Sequence, residues 1–167
     1  MTSPTEVTTA SWRAAGESRD AGLATRCLAV DVQAISPLTA RFRFRGRDQV
    51  GDMLIAAFEV IDTIRYHTEV GDESTRALFY YGHCGREDFE EAQLLRFNDE
   101  GLIVELTLFG RPLPGLTAVM AAIGPVMLKR RRRPALARLI GAATAPLALL
   151  TRTGEKRIVP LADPNRP

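Results

Sequence analysis

Residues 90–109 read EEAQLLRFNDEGLIVELTLF. Two strand-forming runs flank the tetrad Asn98-Asp99-Glu100-Gly101, and turn formers between apolar runs predict a β-hairpin. One run carries an uncharged amide, Gln93, between the apolar residues Ala92 and Leu94. Further strand candidates precede it, so four follow one another at 63–70, 75–83, 88–97 and 102–109, joined by GDES, CGRE and NDEG. Short loops of this kind connect antiparallel neighbours, which predicts a meander.

Working outward, Ser3-Pro4-Thr5-Glu6 combines an N-cap serine, a proline at the first helical position and a glutamate three residues after the serine. That capping box predicts a helix from Pro4 to Glu17. Asp20 can cap a short second helix that buries Leu23, Cys27 and Leu28. Val32 and Ile35 make the next segment extended, and Pro37 ends it. RFRFRGR (41–47) alternates arginine with Phe42 and Phe44, the period-2 pattern of a half-buried strand or arm that Gly46 ends. Val50, Met53, Leu54, Ala57, Phe58 and Ile61 recur at helical spacing behind Asp48, an acid placed to suit a helix N-terminus. A single long helix covering four strands requires the sheet to bend around it and leave a concave face.

After Arg111 the composition changes. Pro112, Pro114, Pro125, Pro134 and Pro146 separate short apolar pieces. This predicts an appendage of broken helices over 112–167, beside a domain over 1–111, with a short final strand at Arg157–Val159. A net charge of +2 is too small to argue for nucleic acid, while 46% apolar and 25% charged residues suit a chain that buries a core. Cys27 and Cys84 are too few for a disulfide framework and lack metal-ligand spacing. The first ten residues lack the basic-then-apolar order of a signal peptide, and no window offers roughly 18 uncharged apolar residues. A cytoplasmic location is expected, with no metal and no cofactor.

The element order, together with DVQAISP before the arm, FRGRD at the start of the long helix and LLRFNDEGLIVELTLF, resembles the SnoaL-like branch of the nuclear transport factor 2-like superfamily. The resemblance covers residues 4–111. It implies an α+β cone, a curved sheet wrapped on the long helix with a pocket at the wide end. Steroid isomerases, polyketide cyclases, epoxide hydrolases, dehydratases and non-catalytic binding modules share that fold, so it does not settle function. In the isomerases, an aspartate before the first strand's proline is the general base; Ser36 holds that place. The acid that binds the oxyanion falls on Gln93, and the tyrosine of the first helix falls on Trp12. None of the three can act as a base near neutral pH, although Gln93 and Trp12 carry N–H donors. The Asp–Arg–Asp set of the epoxide hydrolases cannot be assembled, because Arg96 has the wrong parity relative to Gln93.

With Gln93 pointing inward, alternation puts Glu91, Leu95 and Phe97 on the same face. The resemblance places Leu106 and Leu108 inside as well. On the strand 75–83, Phe79, Tyr81 and His83 are expected to face the cavity. Leu54 and Phe58 of the long helix complete a mostly apolar lining whose polar groups are Trp12, Ser36, Tyr81 and Gln93, with His83 and Glu91 at the rim. Such a lining suits a small apolar metabolite, a ring-containing one among the candidates. Blander readings stand beside it. Gln93 can satisfy a backbone group in a filled cone, and His83 with Glu91 can be an exposed contact rather than an acid/base pair.

Lys129-Arg130-Arg131-Arg132-Arg133 is the strongest charge signal. It reads as a solvated turn between helices, as a membrane-surface contact with the apolar piece 134–150, or, least favoured for want of interleaved aromatics, as a nucleic-acid contact. Packing of that apolar piece on the cone or across a dimer is favoured over a membrane. The resemblance implies a homodimer through the outer sheet face. The alternative to ligand binding is an interaction module with a filled cone, whose tail recruits a membrane or a partner.

Overall fold

The computed structural model describes residues 2–165. Helix α1 (Pro4–Ser18) begins with the reciprocal cap, Glu6 N to Ser3 Oγ at 3.1 Å and Ser3 N to Glu6 Oε2 at 2.9 Å. Asp20 caps α2 (Ala21–Arg26) by accepting from Leu23 N at 2.9 Å. Strand β1 (Leu28–Ile35) follows. Of the arm 41–47, only β2 (Phe44–Arg45) pairs, antiparallel to β1; Phe42 lies exposed with its ring edge-on to Phe44. Helix α3 (Gly46–Val60) is succeeded by β3 (Thr63–Gly71), β4 (Thr75–Cys84), β5 (Glu87–Phe97) and β6 (Ile103–Arg111).

The strand order is β2-β1-β6-β5-β4-β3, antiparallel except where β1 runs parallel to β6. The curved sheet gives the α+β cone. The narrow part of the cone is packed solid: Leu28, Val32, Val50, Leu78, Leu95, Ile103 and Leu106 are fully buried in one cluster. Each such side chain contributes about 1.5–3 kcal/mol, so this cluster anchors the sheet to α3. A second cluster of Ile61, Ile64, Tyr80, Cys84 and Phe89 lies towards the C-terminal helices, with Ala118, Val119 and Ala122 packed on it.

The tail corrects the expectation of broken helices. It forms two long ones, α4 (Leu113–Arg130) and α5 (Pro134–Arg157), joined at Arg131-Arg132-Arg133 with Arg132 at φ 57°. Pro125 and Pro146 lie inside these helices without ending them. An internal proline removes one backbone hydrogen bond and bends the helix, and here the packing of α4 against α5 and of α4 against α3 carries the chain through. No strand forms at 157–159; Arg157 ends α5 and a 3₁₀ turn covers Val159–Ala162. Arg130 Nη2 to Asp52 Oδ1 (3.2 Å), Arg152 to Glu87, and Thr117 Oγ1 with Thr151 Oγ1 (2.6 Å) fasten the hairpin to the cone and to itself.

Candidate functional site

Between the packed core and the tail lies a cavity of about 280 Å³. Its walls come from α1, α3, the β1–β2 connection and the inner faces of β3 to β6. Its roof is the helical hairpin: Leu116, Val119, Met120, Ile123 and Met127 of α4, with Ile140 and Thr144 of α5. Almost all of the surface is apolar; apart from Ser36, Thr39 and Thr144, its polar side chains gather at one end.

That end is a chain of hydrogen bonds centred on Gln93. Its Oε1 accepts from Trp12 Nε1 at 2.8 Å and from the Tyr66 hydroxyl at 2.9 Å, while its Nε2 donates to Glu91 Oε1 at 3.2 Å. The indole can only donate, which fixes the amide orientation. Tyr80 adds its hydroxyl hydrogen bond to Glu91. Neighbouring strands supply these groups because Gln93 pairs across the sheet with Leu78, and Glu91 with Tyr80. Helix α1 reaches the network because Gly16 lets it approach: a Cβ there would stand 2.9 Å from the Tyr66 ring and hydroxyl. Among the described residues, no buried side-chain nitrogen or oxygen lacks a hydrogen-bond partner.

Electrostatics single out Glu91. Burial pushes its carboxyl up to about 7, against the weaker pull of the Gln93 and Tyr80 hydrogen bonds, which favour the charged form. Burial and the neighbouring Glu91 also raise the Tyr66 and Tyr80 hydroxyls, so both remain donors. The cavity thus ends on a carboxyl that can give or take a proton near neutral pH, beside an amide whose second N–H extends the donor set.

Trp12, Ser36, Leu54, Phe58, Glu91, Gln93, Leu106 and Leu108 line the cavity. Leu95, fully buried, packs in the core beneath it. Glu91 is not at the rim as expected but 9% exposed. Phe79, Tyr81 and His83 require correction, since they face outward. Tyr81 is 58% exposed and stacks on His67 at 4.2 Å, and His83 Nδ1 lies 2.7 Å from Asp88 Oδ1. An acid/base pair of His83 with Glu91 is therefore excluded, because the sheet separates them. Leu78, Tyr80, Gly82 and Cys84 hold the inner face of β4 instead. Ser36 Oγ accepts from Leu38 N at 3.1 Å and shapes the β1–β2 connection. On the outer face, His67 Nε2 lies 3.2 Å from Glu90 Oε1. Tyr66, Tyr80 and the helical roof were not foreseen as site residues. The basic side chains of 129–133 all lie outside the cavity, exposed at the hairpin turn.

No family model matches the sequence, and no curated protein matches it. Solved structures do resemble it. A steroid delta-isomerase from Pseudomonas aeruginosa superposes with a TM-score of 0.72 at 23% identity, covering 78% of this chain and 96% of that one. An uncharacterized protein with a cystatin-like fold from Silicibacter pomeroyi gives 0.71 at 26% identity, covering 75% and 88%. A SnoaL-like protein of unknown function from Burkholderia thailandensis gives 0.56 at 16%, covering 65% and 96%. The chain has the cone fold of the nuclear transport factor 2-like superfamily, and SnoaL-like proteins are among its structural neighbours.

Proposed function

We propose that the cone binds a compact, largely apolar metabolite whose single hydrogen-bonding atom meets Glu91 and Gln93, and that Glu91 exchanges a proton with it. The observation that carries this reading is a cavity with apolar walls that ends on one buried carboxyl at the boundary between its charged and neutral forms. Its volume is near the lower end of small-molecule pockets, roughly 300–1,000 Å³, which suits two or three fused rings. Steroid isomerisation of the usual kind is not part of the proposal. Ser36 and Gln93 occupy the places that the resemblance gives to the isomerase base and acid, and the one acid of the cavity stands two residues away along β5.

Calorimetric titration with naphthol and α-tetralone, one hydroxyl and one ketone on the same skeleton, tests it. A charged Glu91 accepts from the hydroxyl and a protonated Glu91 donates to the ketone. Naphthol affinity is therefore expected to rise as pH passes about 7, and tetralone affinity to fall. Glu91→Gln removes both dependences while leaving the cavity in place. Failure of both ligands to bind, or binding with no pH dependence in the native chain, contradicts the reading.

A further inference from the structure

The cavity's roof has an outer side. Helix α5 packs on α4 through Ala137, Ile140, Gly141, Thr144, Ala148 and Thr151, which recur at helical spacing, but of its residues only Ala137 is fully buried. The opposite face carries Leu139, Pro146, Leu149 and Leu150, with the three leucines 60–69% exposed. Ile158, Val159 and Leu161 extend this apolar surface past the helix end. A contiguous apolar face of this kind on a folded chain marks a contact surface.

Charge decides which contact. Ten of the 22 basic residues lie after Arg111, against two of the 20 acids, so the hairpin is strongly cationic and the cone is acidic. Arg131, Arg132 and Arg133 flank the leucine face at one end and Lys156 and Arg157 at the other, and among the described residues the three arginines have no ion-pair partner. A second copy laid on this face would oppose like charges. An anionic lipid surface matches both the leucines and the cations.

The helix is long and apolar enough by composition to be considered as a span, and almost none of its apolar stretch is buried. Spanning is disfavoured by the stretch between Arg138 and Arg152, which at 1.5 Å per residue is about 20 Å, short of a hydrocarbon core of about 30 Å. Arg152 is moreover held by Glu87, and Thr151 by Thr117. We propose that the α4–α5 hairpin docks flat on an anionic bilayer surface, its leucine face in the interface and its basic turn on the headgroups. This stands apart from the ligand reading of the cavity, although the docking element is the cavity's roof.

Co-sedimentation of the full chain with phosphatidylglycerol-containing vesicles and with pure phosphatidylcholine vesicles tests the proposal. Binding is expected to the first and to weaken steeply with added salt. The triple charge reversal Arg131→Glu, Arg132→Glu, Arg133→Glu is expected to lower that affinity at least about a hundredfold. Leu139→Gln, Leu149→Gln, Leu150→Gln together should also release the protein without lowering its thermal midpoint, because the native face has no intramolecular cover. No binding to the anionic vesicles overturns the proposal. So does a leucine triple that melts early, which marks the face as packed, or one that turns a sedimenting dimer into a monomer, which marks it as a contact between copies.

Discussion

The indole Nε1 of Trp12 donates to Gln93 Oε1 at 2.8 Å, joining the first helix to a strand 81 positions later inside the cone. Gln93 is the hinge of the polar network, since it also accepts from Tyr66 and donates to Glu91. Replacing it by leucine removes the buried acceptor that the Trp12 indole N–H and the Tyr66 hydroxyl share. At roughly 1–3 kcal/mol for each donor that loses its acceptor, Gln93→Leu is expected to destabilise the fold by about 3 kcal/mol in denaturant unfolding. A loss below about 1 kcal/mol would mean that the network is not formed.

Gly16 makes that geometry possible. An added methyl would stand 2.9 Å from the Tyr66 ring and hydroxyl, so Gly16→Ala must push α1 or the ring aside. Overpacking of this kind costs about 1–3 kcal/mol. The sole tryptophan, Trp12, reports the disturbance: its emission should shift as the Gln93 contact loosens.

Glu91 gives stability a pH dependence with a defined sign. Its carboxyl is raised from 4.5 to about 7 in the folded chain, so between these values the folded state holds a proton that the unfolded state releases. The contribution is full below 4.5 and is lost as pH rises towards and through 7. The amplitude is on the order of 3 kcal/mol. Glu91→Gln, neutral at every pH, should flatten this part of the profile and raise the thermal midpoint above pH 7 relative to the native chain. An identical slope in both proteins would remove Glu91 as its source.

Restoring the isomerase acids should not restore an isomerase. Ser36→Asp with Gln93→Asp sacrifices the amide that holds Trp12, Tyr66 and Glu91, and it crowds a second carboxyl towards Glu91. A base needs a supporting shell as well as the residue. Assay of the double variant with a steroid enone is expected to show no efficient turnover; strong turnover would mean that the cone is a near-intact isomerase.

The cone was legible in the sequence because its signals are local: the Ser3–Glu6 box, the apolar row of α3, and turn formers between strands. The facing of β4 was misread for a definable reason. RALFYYGHC has aromatic and apolar residues on both faces, so alternation alone cannot orient it. The turn could have done so. Gly85-Arg86 is a two-residue connection, with Gly85 at φ 65°, that pairs Cys84 with Glu87 and therefore Tyr80 with Glu91. Once Gln93 points inward, Leu78 and Tyr80 must do so too. The roof was hidden by Pro125 and Pro146, read as breaks. Whether a proline ends a helix or only bends it depends on tertiary packing that no local pattern records.

The central claim is that the cavity ends on a carboxyl poised to exchange a proton with a bound ligand. The most direct measurement is a carbon NMR titration of the Glu91 side-chain carboxyl, with and without α-tetralone. A midpoint near 7 is predicted for the free protein, moving upward with tetralone because only the protonated carboxyl can donate to the ketone. A midpoint in the ordinary carboxylate range, or one indifferent to tetralone, would contradict it.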